Sequence, residues 1–316
     1  MPPPVARPLP AAAPDPFLAA LAGIAETGHL FAVLDGTLFA DPGHRLLLAG
    51  FEADPLYLDE ASSPAKWAGP LMVWPGTDAQ KTLRLVELAR MPASALWWHW
   101  PEPGPEGRQS LFRHLRRLNM VEIPQEGDSD KVEPVLLRHG DPEAMAALLP
   151  LLSPAQISRF LGPARAILLR FTPVLPGDDG TRRFDRPADL PDPPHGMLRL
   201  TPAQMDRLLQ GRATREEARV LDYLRRHGGP YLPIAPAGQP DPLPGLSRAW
   251  LADGKSMGIR GEQALWKWSL LQLLSGGQIS ADPKVRRFLS ATTPRSSADD
   301  RVGQLMRATI NRLRKV

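Results

Sequence analysis

The spacing of apolar residues changes character once along this chain, near residue 197. Before that point, short apolar runs typical of strands alternate with amphipathic helix patterns, and after it only helix patterns follow. Because each element must bury its apolar face against another, this alternation favours an α/β or α+β lobe with a small mixed sheet and flanking helices. The sequence therefore predicts an N-terminal lobe of that class, followed by an all-α C-terminal lobe.

Six apolar runs in the first lobe have the length and composition of strands. They lie at residues 30–34, 70–74, 95–100, 121–123, 135–137 and 167–171, and we expect the last of them to be the final strand. Asp35-Gly36 is a strong tight-turn signal, which predicts a hairpin with residues 37–39 as the returning strand. A second hairpin is predicted across the acidic loop between residues 123 and 135.

Helix starts are marked by capping signals. Asp141-Pro142 pairs a capping carboxylate with a proline suited to the first helical position. Ser153–Gln156, Thr201–Gln204 and Thr214–Glu217 have the spacing of capping boxes. Each of these three signals predicts the start of a separate helix.

Proline-rich stretches set the predicted domain boundaries, because the chain has 37 prolines in 316 residues, about twice the usual share. Residues 1–27 are expected to be a disordered Pro/Ala tail with a short helix, and residues 28–172 the mixed-sheet domain. Residues 173–196, rich in Pro, Asp and Gly, are expected to be a linker before a helical lobe over 197–316. Residues 263–274 are apolar almost all round, which predicts the central helix of that lobe.

Charge is distributed unevenly along the chain. Residues 1–150 hold 12 basic and 19 acidic residues, whereas residues 151–316 hold 26 basic and 15 acidic residues. A basic second lobe fits an acidic partner or nucleic acid, and a nucleic-acid-binding protein is therefore one alternative function. The same charges also fit two lobes that attract each other, or arginines that solvate helix faces.

The sequence contains no convincing catalytic, cofactor or metal motif. Residues 249–256 fit a permissive phosphate-loop pattern, but alanine replaces the first glycine and no apolar strand precedes it, so we expect a helix end there. His139 lies close to Asp141, but one histidine without partners does not define a site. We therefore predict no catalytic residues, no cofactor and no metal. The alternative is a nucleotide-binding protein that uses Gly254-Lys255-Ser256, or an enzyme with a dispersed active site.

Two groups of residues are candidates for binding a partner. Trp98 and Trp100 share one face of the predicted strand 95–100 and can offer an aromatic patch, although a strand buried on both faces has the same composition. The second group consists of arginines on the polar face of a helix predicted over 108–120 and in the second lobe. These arginines are Arg113, Arg116, Arg117, Arg225 and Arg226.

The expected compartment is the cytoplasm. No run of 18 apolar residues predicts a transmembrane helix, and the N-terminal segment has prolines in place of an apolar signal core. The chain has no cysteine, which excludes disulfides and thiolate metal sites and fits a reducing compartment.

Several of these segments together resemble one known family. Phe31-Ala32-Val33-Leu34-Asp35-Gly36 resembles the opening strand and turn of the family called domain of unknown function 4123 (DUF4123). The segments Leu111–Met120, Val135–Pro142, Ala147–Leu152 and Ser153–Pro163 resemble its later half in the same order. The resemblance covers residues 28–171, and the helical lobe resembles the family's helical tail more loosely.

Members of this family are adaptors, also called effector chaperones, of the type VI secretion system. The resemblance implies a non-catalytic cytoplasmic monomer that forms a one-to-one complex with a toxic effector. It implies that the protein helps to load the effector onto the VgrG spike or its tip protein, with no nucleic acid and no membrane as partner.

The sequence departs from the family pattern in two stretches. His139-Gly140 replaces the aromatic residues that usually end the strand before Asp141, and Asp41–Ala68 matches poorly. Effector choice is expected to lie in such variable stretches. The sequence leaves open whether a partner helix fills a groove or a partner strand joins a sheet edge.

Overall fold

The computed structural model describes residues 15–38, 41–57, 67–90, 94–125, 127–173, 177, 179–291 and 296–313. The chain divides into two compact units, one of residues 1–173 and 178–208 and one of residues 174–177 and 209–316. Residues 1–14 of the predicted Pro/Ala tail lie outside the described residues. Among the described helices, none has both the length and the apolar character that crossing a membrane requires.

The strands of the first unit form two sheets. They are β1 Leu30–Asp35, β2 Ala53–Pro55, β3 Pro70–Val73, β4 Ala95–His99, β5 Met120–Gln125, β6 Asp128–Leu136, β7 Ala166–Arg170, β8 Thr181–Asp185 and β9 Leu198–Arg199. The larger sheet has the order β2-β3-β1-β4-β7-β8 and is antiparallel throughout. The smaller has the order β6-β5-β9, and β5 pairs antiparallel with β6 and parallel with β9. The predicted hairpin over 121–137 is confirmed as β5–β6.

Helices flank these sheets and make up the second unit. Those of the first unit are α1 Pro16–Ala25, α2 Pro42–Leu48, α3 Ala79–Arg90, α4 Gly104–Arg116, α5 Pro142–Leu148 and α6 Pro154–Leu161. Helix α7, Pro202–His227, begins in the first unit and continues into the second. The others are α8 Leu243–Ser256, α9 Glu262–Leu274, α10 Pro283–Ser290 and α11 Ala298–Leu313. A mixed sheet region followed by a helical region confirms the predicted fold class.

The larger sheet is buried on both faces, because alternate residues of its central strands point in opposite directions. On one face, Leu34 of β1 packs with Leu21 of α1 and Leu85 of α3. On the other face, a second apolar cluster joins Phe31 of β1 to residues of α4, α5 and α6, including Leu111. This sandwich holds α2 and α4 at opposite faces of the sheet, each within reach of its β2 edge.

Helix α9 is the centre of the second unit, as the apolar stretch 263–274 predicts. Trp268 and Leu271 of α9 are buried together with Leu251 of α8 and Val302 of α11. Asp253 of α8 accepts hydrogen bonds from the Trp268 indole at 3.2 Å and from the Gln272 amide at 2.8 Å. These bonds satisfy polar groups that burial in an apolar core would otherwise leave without partners.

The predicted hairpin after β1 is wrong. Gly36–Leu38 forms a 3₁₀ turn, and β1 pairs with β3 on one side and β4 on the other. The Asp35 carboxylate accepts the Thr37 N–H at 3.0 Å and its hydroxyl at 2.7 Å. Asp35 therefore stabilises a turn that leads away from the sheet, where both flanks of β1 are already paired.

The expectation that residues 167–171 form the final strand is also wrong. Strand β8 lies inside the predicted linker 173–196 and pairs with β7, and β9 follows it. Phe184 of β8 packs against the apolar core, which gives this charged strand its place in the sheet. Two strands so short and polar leave little period-two signal in the sequence.

Thr214–Glu217 does not begin a helix, because α7 runs without a break through residues 202–227. The Thr214 hydroxyl donates to the Gln210 carbonyl at 3.0 Å, as a threonine inside a helix commonly does. Thr201–Gln204 is confirmed as a capping box, with reciprocal bonds of 2.9 and 3.2 Å.

Candidate partner-binding site

An open cavity of about 580 Å³ lies at the β2 edge of the larger sheet. It is lined by α2, by the segment that leads into β2, by Trp67 and by Arg108 of α4. Its volume falls within the range of about 300–1,000 Å³ that is common for binding pockets. Of the nine described residues that line it, eight lie between residues 41 and 67, and Arg108 is the ninth.

Helix α2 forms one wall of the cavity. It begins at Asp41, whose carboxylate accepts the His44 N–H at 3.4 Å, and Leu46 anchors it in the core. Gly43, His44 and Leu47 line the cavity together because residues three and four apart share a helix face.

Gly43 lets an indole ring lie directly against this wall. A Cβ at position 43 would lie 3.0 Å from Cε3 of Trp67, closer than carbon atoms normally pack. The absence of a side chain at Gly43 therefore permits the close approach of Trp67 to α2.

The edge of β2 offers little backbone to a partner. Asp54 is paired with Met72, and the Leu56 N–H donates to the Pro70 carbonyl at 3.0 Å. Because hydrogen-bonded residues alternate along an antiparallel strand, the backbone polar groups of Ala53 and Pro55 point away from β3. Proline has no N–H to donate. Within β2, Ala53 is therefore the residue that presents both a donor and an acceptor at this edge.

Arg108 joins α4 to the sheet edge. Its Nε and Nη2 bond the two carboxylate oxygens of Asp54 at 2.6 and 2.9 Å, and Nη1 bonds Glu52 at 2.9 Å. The hydrogen bonds that Arg108 donates to Asp54 raise the pKa of Arg108, burial opposes this rise, and the hydrogen bond to Glu52 adds to it. All three nitrogens of its guanidinium are therefore hydrogen-bonded, and they connect α4 to Glu52 and Asp54.

Two adjacent leucines of α2 are exposed. The exposed fractions of Leu47 and Leu48 are 70% and 74%, whereas their neighbour Leu46 is 1% exposed. Of the two, Leu47 lines the cavity, so its exposed side chain adds to the apolar lining that Phe51 and Trp67 supply.

The described residues that line the cavity include two carboxylates and one guanidinium. Asp41 and Glu52 line it, and the Glu52 side chain is 82% exposed. Arg108 is the lining cation, and Asp54 already pairs with it in a bidentate fashion. Two carboxylates and one occupied guanidinium leave the cavity rim acidic.

Residues 30–159 match the model of the family described as domain of unknown function (DUF4123). This part of the chain is a DUF4123 domain. It runs from β1 into α6 and contains every residue that lines the cavity. Neither a curated protein nor a solved structure matches the chain.

The two tryptophans that the sequence analysis proposed as contacts lie inside the DUF4123 domain, and that proposal is wrong for both. Trp98 is 0% exposed and Trp100 is 1% exposed. Trp98 stacks on Phe160 at 5.8 Å between ring centroids, and the Trp100 indole donates to the Ser110 hydroxyl at 2.7 Å. The strand is buried on both faces, so its aromatic composition reflects core packing.

The three arginines of α4 lie towards the end of that helix, and none lines the cavity. Arg113 and Arg117 are exposed, and Arg116 is half-buried with its guanidinium 5.6 Å from the Phe112 ring centroid. Their role in binding a partner stays a prediction.

Arg225 and Arg226 of the second unit both form ion pairs. Arg225 pairs with Asp241 at 3.1 Å, and Arg226 pairs with Asp222 one turn earlier on α7. Other basic residues of this unit are also paired with carboxylates, namely Arg219, Arg248 and Lys255. Such pairing favours the interpretation that arginines solvate helix faces, and a partner role for Arg225 and Arg226 stays a prediction.

The phosphate-loop pattern lies within the last turns of α8. Gly254 is buried there, and a Cβ at this position would lie 2.7 Å from Cδ1 of Trp268. The Lys255 ammonium pairs with Glu216 at 2.5 Å. A phosphate loop needs free backbone N–H groups between a strand and a helix, so this crowded helical segment argues against nucleotide binding here.

The buried histidines have structural partners. His139 is fully buried and its Nε2–H donates to the Asn119 amide oxygen at 2.8 Å, and burial lowers its pKa to about 3. His114 donates to the Phe160 carbonyl at 2.9 Å, and burial lowers its pKa to about 4. No group of three or more potential ligands among the described residues is placed to hold a metal ion.

Helix α2 and strand β2 build most of the site, and neither is among the elements that the sequence predicts. One signal was present, because Asp41-Pro42 is the same kind of helix start as Asp141-Pro142. Most of the described lining residues nevertheless lie within 41–68. This is the stretch that matches the family pattern poorly and in which effector choice is expected. Arg108 could not be assigned to it, since 54 residues separate Arg108 from Asp54.

Proposed function

We propose that this protein is an effector adaptor of the type VI secretion system and that it acts by binding, not by catalysis. It binds a cognate toxic effector in the cytoplasm and helps to load it onto the VgrG spike or its tip protein. The observation that carries this proposal is the DUF4123 domain, which contains the whole open cavity.

The composition of the cavity supports a binding role. Among the described residues that line it, Leu47, Phe51, Ala53 and Trp67 are apolar, and Asp41 and Glu52 are carboxylates. An apolar centre with carboxylates at the rim is the usual anatomy of a protein interface.

Co-expression tests the proposal directly. The full chain is produced with the effector encoded beside it, purified by a tag on the effector, and sized by light scattering. We expect a one-to-one complex of adaptor and effector that also captures the VgrG spike. If the chain binds neither the effector nor the spike, the adaptor role is overturned.

A matched control separates specific loading from general chaperone activity. An effector encoded beside a different DUF4123 protein is co-expressed with this chain under the same conditions. We expect it to remain unbound, because adaptors that recognise a defined segment discriminate between partners. Equal capture of both effectors contradicts a cognate adaptor role.

A further inference from the structure

The cavity beside β2 restricts what can fill it through its shape and its charge. We propose that it receives the apolar face of a positively charged amphipathic helix of the effector. This inference rests on the proposed function, because it names the kind of effector segment that the adaptor recognises.

Strand addition is disfavoured at this edge. Strand β2 has three residues, and of the two that point outward, Pro55 has no N–H and only Ala53 offers a donor. Strand addition depends on a row of main-chain hydrogen bonds. The cavity must therefore derive its affinity from side chains.

A helix supplies those side chains at the right spacing. Leu47 of α2 lines the cavity and is largely exposed, and the volume of about 580 Å³ admits more than one large side chain. Apolar residues three and four apart on a helix lie about 5–6 Å from each other, so a single helix brings two anchors to one groove. An extended peptide would point alternate side chains away.

The charge of the rim selects a basic helix. Among the described residues, the titratable ones that line the cavity are Asp41, His44, Glu52 and Arg108. Arg108 is occupied by Asp54 and Glu52, whereas Glu52 remains 82% exposed and Asp41 lies on the surface. Lysine or arginine one turn from the apolar anchors would meet these carboxylates, and glutamate there would be repelled.

Labelled peptides test the inference without a known effector. The first is an amphipathic peptide of about five helical turns with leucine at every third and fourth position and lysine beside that stripe. The second has glutamate in place of each lysine, and the third has the first composition in scrambled order. We expect fluorescence anisotropy to show binding of the first, with the others at least about tenfold weaker.

Variants of the full chain locate the binding. Leu47→Ser is expected to weaken the lysine peptide about tenfold or more, because it removes a large apolar contact. Asp41→Asn and Glu52→Gln are each expected to weaken it about two- to fivefold and to flatten its salt dependence. The control is Leu209→Ser, at a helical leucine that is 58% exposed and outside the cavity.

Gly43→Ala provides a variant that leaves the exposed surface of α2 intact. The added methyl group meets Trp67 and forces its ring to shift, and alanine favours the helix, so the variant should fold. We expect it to weaken the lysine peptide at least about threefold through the altered cavity shape. Unchanged affinity in both Gly43→Ala and Leu47→Ser overturns the inference.

The outcomes separate this inference from the adaptor role. If the effector co-purifies equally with the wild type, Leu47→Ser and Asp41→Asn/Glu52→Gln, the cavity is not its docking site and the adaptor role stands. If the lysine peptide binds as expected but no effector or spike does, the adaptor role is wrong. The preference of the cavity for a basic amphipathic helix then stands. Equal affinity for the lysine and glutamate peptides overturns the proposed charge selection.

Discussion

Gln156 and Gln204 exchange two amide hydrogen bonds, of 3.0 and 2.7 Å, although 48 residues separate them in the sequence. Each glutamine also completes the capping box of its own helix, with Ser153 for α6 and Thr201 for α7. The pair therefore ties two helix starts to each other, beside strand β9 whose Arg199 carbonyl accepts from Gln156.

Gln156→Glu tests this link. Glutamate keeps an oxygen for the Ser153 N–H but loses the donor to Gln204 and Arg199, and it brings a charge to a site that is 9% exposed. We expect the free energy of unfolding in urea to fall by about 1–3 kcal/mol. The loss should shrink at acidic pH, where a protonated glutamate regains a donor. The control is Gln109→Glu on the exposed side of α4, and an equal loss in both variants contradicts the role of the amide pair.

The ion pair of Arg138 with Asp35 gives a second prediction. The Asp35 side chain is 6% exposed and bonds Arg138, which also donates to the Thr37 hydroxyl at 3.0 Å. Arg138 is 53% exposed, so solvent screening limits what it contributes. We expect Arg138→Met to lower the free energy of unfolding by about 1 kcal/mol. Arg113→Met, at an exposed position on α4, should change it by less than about 0.5 kcal/mol, and equal effects would refute the pairing.

A pair of glycines on α8 separates packing from helix propensity. Gly254→Ala places a methyl group 2.7 Å from the Trp268 ring, and overpacking of this kind costs about 1–3 kcal/mol. Gly245→Ala has open space within 4 Å and should stabilise the helix by about 0.5–1 kcal/mol. We expect the thermal unfolding temperature to fall for Gly254→Ala and to rise for Gly245→Ala. A stabilised Gly254→Ala would show that α8 does not pack against Trp268 in this way.

Stability should depend on pH through His114 and His139, whose pKa values burial lowers to about 4 and about 3. An unfolded histidine has a pKa of about 6.5, so between pH 6.5 and 4 the unfolded state binds more protons than the folded state. The free energy of unfolding should therefore fall with decreasing pH, by up to about 1.4 kcal/mol per pH unit for each histidine.

His114→Gln tests that assignment, because glutamine can still donate to the Phe160 carbonyl but does not titrate. Urea unfolding is measured between pH 7.5 and 4.5 for both proteins. The variant should show a shallower decline in stability towards acidic pH than the wild type. Parallel declines would exclude His114 as a source of the pH dependence.

Local chemistry explains which features of the fold could be predicted from the sequence. The caps at Asp141, Ser153 and Thr201 were predicted because a capping side chain bonds a backbone N–H two or three residues away. The pairing of β1 with β3 and β4 depends on contacts with residues 35–69 positions away, which the Asp35-Gly36 turn signal does not encode.

The candidate site was less predictable for the same reason. The aromatic composition of strand 95–100 predicts a binding patch at Trp98 and Trp100. A sheet that is covered on both faces buries such residues. The cavity depends instead on a seven-residue helix, a three-residue strand and the distant Arg108, none of which has a periodic pattern long enough to be detected.

The outer strands of the six-stranded sheet have a consequence for the behaviour of the protein in concentrated solution. One ends in Pro55, and the other carries Arg182 and Arg183, with Arg183 held by Asp185 at 2.8 Å. A second copy that stacked edge to edge would lose a hydrogen bond at the proline or bring like charges together. Both margins of the sheet therefore oppose templated growth into fibres.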